Sequence, residues 1–378
     1  MGRSIDKITI QGFKSIRSLE DFELDKVNVL IGANGSGKSN FVRFFSLLRE
    51  MVDGRLAMAV NKAGGADSHL FLGPKITKEI VARMEFGFNR YDLSLEATAD
   101  NRLIFGSESI NFHSPTTDLA ADLTWSIGSG HSESRLRECS LKGGWSDEVD
   151  IVCAANDIED AISNWAVYHF HDTSDTAAMR RTGSVRDNEQ LRSRGENLAA
   201  FLFGLREEKK DTYDLIVDTV RLAAPFLHDF KLRPKKSNGD EIIELEWEQK
   251  DSDYPFHASQ LSDGTLRFIA LTTALLQPNP PATVLIDEPE LGLHPQALDI
   301  LANLILQAQN RTQLIVSTQS APLLNAFEPN QIVVIDREEG ASRFRRLEAD
   351  DLAAWLAEDY TLGDLWQKNV YGGGLVHE

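Results

Sequence analysis

An α/β fold around a parallel or mixed sheet, with an antiparallel β lobe and a compact helical insertion, is what this 378-residue sequence predicts. Three observations carry that expectation. Near the N-terminus, Val27-Asn28-Val29-Leu30-Ile31 reads as a buried strand entering a glycine-rich loop, after which Phe41, Phe44, Phe45 and Leu48 recur at helical spacing. Between residues 80 and 112, segments such as 81–86 and 92–97 alternate as the strands of an antiparallel meander do. In the last third, helices and buried strands take turns, the βαβ order that builds a parallel sheet with ligands at the carboxyl ends of its strands.

Taken in order, Lys7-Ile8-Thr9-Ile10 alternates polar and apolar and reads as a half-buried strand. Residues 53–77 are rich in Gly, Ala and polar types, an irregular excursion, and residues 113–150 are weakly patterned. Residues 197–205 and 211–224 read as helices. In the second, Tyr213, Ile216, Val217 and Val220 share a face, Asp211 caps the start and Pro225 ends it. A strand at 242–248 follows. Then come an apolar helix at 266–276, a strand at 283–286, a helix at 296–309, and strands at 314–317 and 332–335. The predicted division is 1–52 for the part bearing the glycine-rich loop, 53–125 for the antiparallel lobe, 126–240 for a mostly helical insertion, 241–340 for the rest of the sheet domain, and 341–378 for a helical extension. No heptad stretch is long enough for a coiled coil.

Composition narrows the class. With 42% hydrophobic and 26% charged residues, the chain has the balance of a soluble globular protein. Lys and Arg number 39 against 58 Asp and Glu, a net charge of −19, so binding to nucleic acid needs a local basic patch working against the overall field. Cys139 and Cys153 alone exclude a disulfide scaffold and a Cys-rich zinc site. No run of eighteen apolar residues and no signal-type leader are present, so the expectation is a cytoplasmic protein without a membrane partner.

Gly32-Ala33-Asn34-Gly35-Ser36-Gly37-Lys38-Ser39 satisfies the P-loop pattern G-x-x-x-x-G-K-[ST]. Its glycines let consecutive backbone N–H groups turn inward around phosphate oxygens, and the helix starting there adds its positive dipole end. Lys38 would reach the β- and γ-phosphates and the Ser39 hydroxyl would bind Mg²⁺. These residues and Asn40 are the candidate nucleotide-binding set. Asn61-Lys62-Ala63-Gly64 lacks the aspartate of a guanine-recognition motif and sits too close to the loop, which favours adenine. Thr283-Val284-Leu285-Ile286-Asp287-Glu288 is an apolar strand ending in two carboxylates, as a Walker B element requires. Asp287 would hold Mg²⁺ through water, and Glu288 would orient or deprotonate the attacking water.

Upstream of that strand, Gln260-Leu261-Ser262-Asp263-Gly264-Thr265-Leu266 resembles the signature motif of ATP-binding-cassette (ABC) ATPases, Leu-Ser-Gly-Gly-Gln in its usual form. The order of P-loop, long insertion, signature, Walker B, D-loop and switch residue is similar to that family's. Gly12-Phe13-Lys14-Ser15 and Glu288-Pro289-Glu290-Leu291-Gly292-Leu293-His294-Pro295 resemble the SMC/RecF/overcoming-lysogenization-defect group rather than transporters. His169-Phe170-His171-Asp172-Thr173-Ser174 and Leu362-Gly363-Asp364-Leu365-Trp366 are similar to recurrent segments of stand-alone bacterial AAA-family ATPases of that group. The resemblance implies an ABC-type (SMC/RecF-like) P-loop NTPase head with ATP and Mg²⁺ as cofactors. In such ATPases two heads sandwich two ATPs. Ser262 and Gly264, at a helix N-terminus, would contact the γ-phosphate held by the other subunit's P-loop. Residues 291–294 match the D-loop, which lies across the dimer. Lys14 would approach the nucleotide, as in relatives, or remain a solvated surface lysine.

Two departures stand out. Gln319 follows the strand 314–317 where many relatives place a γ-phosphate-sensing histidine; it can hydrogen-bond phosphate or water but cannot become a cation. No Q-loop glutamine lies between residues 60 and 100, which leaves the lid contact to Mg²⁺ unassigned. Weaker constellations remain open. His169, His171 and Asp172 read either as a metal trio or as a strand edge and turn. Arg180, Arg181, Arg186, Arg192 and Arg194 read as a surface loop or as a contact to nucleic acid or a partner, and Lys231, Arg233, Lys235 and Lys236 share that ambiguity.

The resulting expectation is an ATPase that forms an ATP-dependent homodimer or higher oligomer and drives or gates an effector protein, in DNA maintenance or anti-phage defence. The alternative is a nucleotide-sensing, non-motor subunit of a toxin or nuclease complex. A transporter motor is disfavoured by the 249 positions between Lys38 and Asp287. A Toprim nuclease is disfavoured by the short stretch after the last strand, and a long-armed DNA-bridging ATPase by the missing heptads.

Overall fold

Several short strands of this chain are apolar on both faces, and a strand of that kind needs a packed layer on each side. The computed structural model describes residues 3–112, 123–142, 149–237 and 239–374. A central sheet runs in the spatial order Ala341–Arg346, Ile332–Glu338, Val27–Ile31, Gln313–Thr318, Thr283–Asp287, Trp165–Tyr168. All neighbours are parallel except the edge pair Ile332–Glu338 and Ala341–Arg346. Alternate side chains feed two different cores. Leu30, Leu285, Ile315, Val333 and Ile335 point into one; Val29, Ile31, Val284, Ile286, Leu314, Val316 and Val334 point into the other.

The first core is closed by the helix Lys38–Val52, which buries Phe41, Phe44, Phe45 and Leu48, and by a six-stranded antiparallel sheet. That sheet runs Ile16–Glu23, Lys7–Phe13, Glu79–Phe86, Asn89–Ala97, Leu103–Phe112, Leu123–Gly128. Each fully buried Phe contributes roughly 1.5–3 kcal/mol relative to exposure. The second core lies under the helices Leu198–Glu208, Lys210–Ala223, Asp263–Leu276 and Pro295–Ala308. Parallel central sheet, antiparallel lobe and helical layer match the predicted fold class. No helix among the described residues is long and apolar enough to cross a membrane.

The differences are local. Asp211 lies in the first turn of its helix and Lys209 occupies the cap position. The strand predicted at 242–248 is two strands, Asp240–Ile243 and Glu246–Gln249, in separate three-stranded sheets. The excursion 53–77 contains the helix Leu56–Lys62. Trp165–Tyr168 lies inside the stretch assigned to a helical insertion, yet it is the edge of the central sheet, paired with Thr283–Asp287. Four residues carry too little periodicity to announce a strand whose partner is more than a hundred positions away. Part of the weakly patterned stretch 113–150 lies outside the described residues; the rest includes the strand Leu123–Gly128, the helix Leu136–Lys142 and the start of the helix Val149–Ser163.

One buried amide fastens the two sheets together. Gln313, at the start of its central strand, donates through Nε2 to the carbonyls of Ile5 (2.8 Å), Leu24 (3.2 Å) and Asp25 (3.2 Å). Its Oε1 accepts from Ile5 N (3.3 Å) and from Thr283 Oγ1 (3.0 Å). A leucine of similar volume would take this partner from the buried groups of Ile5 and Leu24, at about 1–3 kcal/mol for each group left unpaired, while the Asp25 carbonyl keeps its bond from Asn28 Nδ2. Gln313→Leu is therefore expected to lower unfolding free energy by roughly 2–4 kcal/mol in urea titrations, whereas a change within about 0.5 kcal/mol would mean that water takes over the amide's bonds.

Candidate functional site

The parallel strands end side by side. Ile31 is level with Thr318, and Asp287 with Ser317, so the loops that follow them open onto one edge of the sheet. Gly37, at φ 121°, is the N-cap of helix Lys38–Val52, and a Cβ there would overlap Ser342 Oγ as well as strain the backbone. Lys38 is 5% exposed, and its Nζ donates to the carbonyls of Gly32 (2.5 Å) and Ala33 (3.1 Å). Burial pushes its ammonium below the ordinary lysine range, while Glu288, Asp287 and Glu290 pull it back up. Ser36 Oγ is buried without a partner. Ser39 and Asn40 are half-buried, and Asn34 and Gly35 are exposed.

The N-terminal motif braces this loop. Asn40 Nδ2 donates to Ser15 Oγ (2.8 Å), Ser342 Oγ donates to the Ser36 carbonyl, and the Ser15 and Ser342 hydroxyls are hydrogen-bonded to each other (2.7 Å). Ser342 N donates to the Ser15 carbonyl (2.7 Å). Lys14, at φ 50°, instead sends its Nζ to the Ser68 carbonyl (2.8 Å), and burial followed by Arg43 lowers its pKa. The structure thus places Ser15 against the glycine-rich loop and turns Lys14 toward residues 65–69.

The carboxylates at the end of Thr283–Asp287 are individually engaged. Ser317 Oγ donates to Asp287 Oδ1. Glu288 holds φ 43°, a left-handed conformation that costs a non-glycine residue of order 1 kcal/mol or more, and its N–H donates to the Ser317 carbonyl (2.8 Å). Gln319 Nε2 donates to Glu288 Oε1, and Gln319 N donates to Glu290 Oε1 (2.7 Å). Glu290 Oε2 is buried without a partner, and burial raises this carboxyl above the ordinary range. Glu290 is a site residue that the sequence pattern did not single out.

Ser262 is exposed and caps helix Asp263–Leu276, its Oγ accepting from Thr265 N (3.2 Å). A Cβ on Gly264 would overlap the Gly292 carbonyl oxygen. Glycine is needed there so that the start of helix Asp263–Leu276 can lie directly on Gly292. The structure joins these two segments to each other; it brings the P-loop, Asp287, Glu288 and Gln319 together as a second group.

Two arginines connect the groups through the segment 169–173. Arg267, on the signature helix, donates through Nε to the Phe170 carbonyl and through Nη2 to the His171 carbonyl, both at 2.9 Å. Arg180 is buried rather than on a surface loop. Its guanidinium donates to the carbonyls of Thr173 (3.0 Å), Ala258 and Leu261 (3.3 Å) and to Asp263 Oδ1 (3.1 Å). The rings of His169 and His171 lie 6.5 Å apart, and Asp172 accepts from Ser174 N and Oγ within its own turn. Among the described residues no group of three His, Cys, Asp or Glu side chains could hold a metal ion. In the second basic cluster, Lys231 pairs with Glu248, Arg233 with Glu246 (2.8 Å), and Lys235 with Glu244 and Glu246.

Comparison with known proteins accords with this geometry. Residues 4–117 match a family model described as "AAA ATPase domain", and residues 146–325 match one described as "AAA domain, putative AbiEii toxin, Type IV TA system". Comparison with curated proteins finds no match. Among solved structures, the chain is similar to an Smc head bound to the C-winged helix domain of ScpA, with a TM-score of 0.58 at 17% identity, over 93% of this chain and 99% of that one. It is also similar to an Smc head domain with an extended coiled coil, bound to the C-terminal domain of ScpA and derived from Pyrococcus furiosus. There the TM-score is 0.54 at 16% identity, over 94% of this chain and 99% of that one. At such identities the likeness is one of fold.

Two substitutions probe the packing of the site. Gly264→Ala forces the signature helix off Gly292 and is expected to destabilise the chain by about 1–3 kcal/mol, read by urea unfolding. Glu290→Gln removes a carboxylate whose folded-state pKa is raised. For such an acid the folded state holds its proton longer, so stability falls as pH rises from the unfolded value of about 4.3 through the folded one. The melting temperature of Glu290→Gln should therefore exceed that of the unsubstituted protein at pH 8, with the gap closing toward pH 4; a constant gap would show that ionisation is not its source.

Proposed function

We propose that this chain, an SMC/RecF-like P-loop ATPase by its AAA-family domains and its fold, binds Mg-ATP, hydrolyses it, and uses the bound nucleotide to pair two heads. The observation that carries the reading is the meeting of Lys38, Asp287, Glu288 and Gln319 where three parallel strands end. Lys38 leaves the carbonyls of Gly32 and Ala33 for phosphate oxygens, and the N–H groups of residues 35–39 supply the remaining donors. The Ser39 hydroxyl and the Asp287 carboxylate are hard oxygen donors that suit Mg²⁺, which supplies charge neutralisation at the β- and γ-phosphates when bound. Glu288 takes the proton of the attacking water. Ser262, exposed at a helix N-terminus, and Gly264 contact the γ-phosphate of the second head.

Gln319 shapes the rate. Its amide donates to Glu288 Oε1, which holds the carboxylate in place and makes that oxygen a poorer acceptor for the proton of the attacking water. This contact favours slow turnover, and with it a second reading, a nucleotide-sensing subunit with little hydrolysis. Single-turnover hydrolysis is expected to speed up in Gln319→His; an unchanged or lower rate would remove Gln319 as the brake.

The output belongs to a second protein in this reading. The similar Smc heads are bound to domains of ScpA, and one matched family model carries a toxin–antitoxin description. A setting in DNA maintenance or anti-phage defence is part of the proposal. The ion-paired state of Lys231, Arg233 and Lys235 gives nucleic-acid binding no support at that cluster. Light scattering tests the core of the reading. Glu288→Gln should double in mass with Mg-ATP and stay monomeric without it, and adding Ser262→Arg should abolish the doubling. A mass indifferent to ATP, with tight nucleotide binding retained, would overturn the sandwich dimer.

A further inference from the structure

We propose that His171 is a member of the metal–nucleotide site, holding jointly with Asp287 a water in the Mg²⁺ shell; this rests on the Mg-ATP reading above. The sequence left the lid contact to Mg²⁺ unassigned, and the fold supplies a candidate from a strand that local pattern did not reveal. Trp165–Tyr168 is the parallel neighbour of Thr283–Asp287, with Tyr168 level with Ile286. The residues following each strand therefore emerge at the same edge of the sheet. There His171 Nε2 lies 3.8 Å from Asp287 Oδ2.

That separation is informative. It exceeds hydrogen-bond length, so the two groups do not bond directly, and a water seated beside the pair reaches both. The other oxygen of Asp287 is already occupied by Ser317 Oγ, which leaves Oδ2 as the one facing His171. The imidazole is 35% exposed and so open to solvent and ligand, whereas the Asp287 side chain is 13% exposed. Mg²⁺ keeps several waters and is commonly held through them, so an acceptor beside the carboxylate fits its chemistry.

The position of His171 is built rather than incidental. The backbone on either side is pinned at successive residues: His169 N donates to the Ser193 carbonyl (2.8 Å), Arg267 takes the carbonyls of Phe170 and His171, and Arg180 takes that of Thr173. A side chain carried by a backbone fixed in this way meets a ligand with little ordering left to do. Both arginines also reach the signature segment, Arg267 by belonging to its helix and Arg180 through Ala258, Leu261 and Asp263. His171 is thus one point at which the signature side of the chain meets the Walker B side.

The test measures binding, not turnover, with a fluorescent ATP analogue in Mg²⁺ and in EDTA, and with Mn²⁺ followed by electron paramagnetic resonance. His171→Ala should lose about ten-fold in the metal-dependent part of nucleotide affinity and in Mn²⁺ affinity, the range for a removed outer-sphere partner, with affinity in EDTA unchanged. His171→Gln, whose amide oxygen accepts a hydrogen bond at similar reach, should recover most of that loss. The proposal is overturned by an unaltered His171→Ala, by equal losses with and without metal, or by a His171→Gln as weak as the alanine variant. If the unsubstituted protein showed no metal-dependent nucleotide binding, the Mg-ATP reading would fall as well, so the two failures are told apart.

Discussion

The organising constraint is the burial of the central parallel sheet on both faces. Val27–Ile31, Thr283–Asp287 and Gln313–Thr318 have almost no room for polar side chains along their length, because one face packs on the phenylalanines of Lys38–Val52 and the other on four helices. Polar chemistry is thereby confined to the strand ends. Parallel strands end together, so the glycine-rich loop, Asp287, Glu288 and Gln319 come to one edge without any element designed to gather them.

Apolar packing places the layers, but it does not fix how they sit on one another to the accuracy a phosphate site needs. Buried polar groups do that. Gln313 ties the central sheet to Ile5, Leu24 and Asp25, the residues flanking the first two strands of the antiparallel sheet. Ser15 and Ser342, from opposite ends of the chain, clamp the loop before Lys38. Arg180 and Arg267 fasten residues 170–173 to the signature segment. Each is directional and leaves a costly unpaired group if the layers slip, which is a sharper restraint than a greasy contact.

This division explains why some assignments were legible and others were not. The P-loop is a local object: its spacing, its preceding strand and its following helix all lie within residues 27–48, and the phosphate chemistry follows from that order. Asp287 and Glu288 were readable for the same reason. Arg180, by contrast, sat among four other arginines in a stretch with no pattern, and nothing in its neighbours announced that it would be buried under the signature helix. Lys231, Arg233 and Lys235 looked like a basic patch until the fold set Glu244, Glu246 and Glu248 against them. Gly264 had an expected role toward a phosphate, and the fold adds a second one, close packing on Gly292.

What the sequence determined by itself was a set of local patterns: a glycine-rich loop of the P-loop spacing, a carboxylate-tipped strand and a glycine at a helix start, each encoded in fewer than ten consecutive residues. What only the tertiary structure decided was the company those residues keep. Trp165–Tyr168 had to pair with Thr283–Asp287 before His171 could stand beside Asp287, and Gln313–Thr318 had to lie between two other strands before Gln319 could reach Glu288. Such pairings are made by long-range burial and register, which no local window of sequence records.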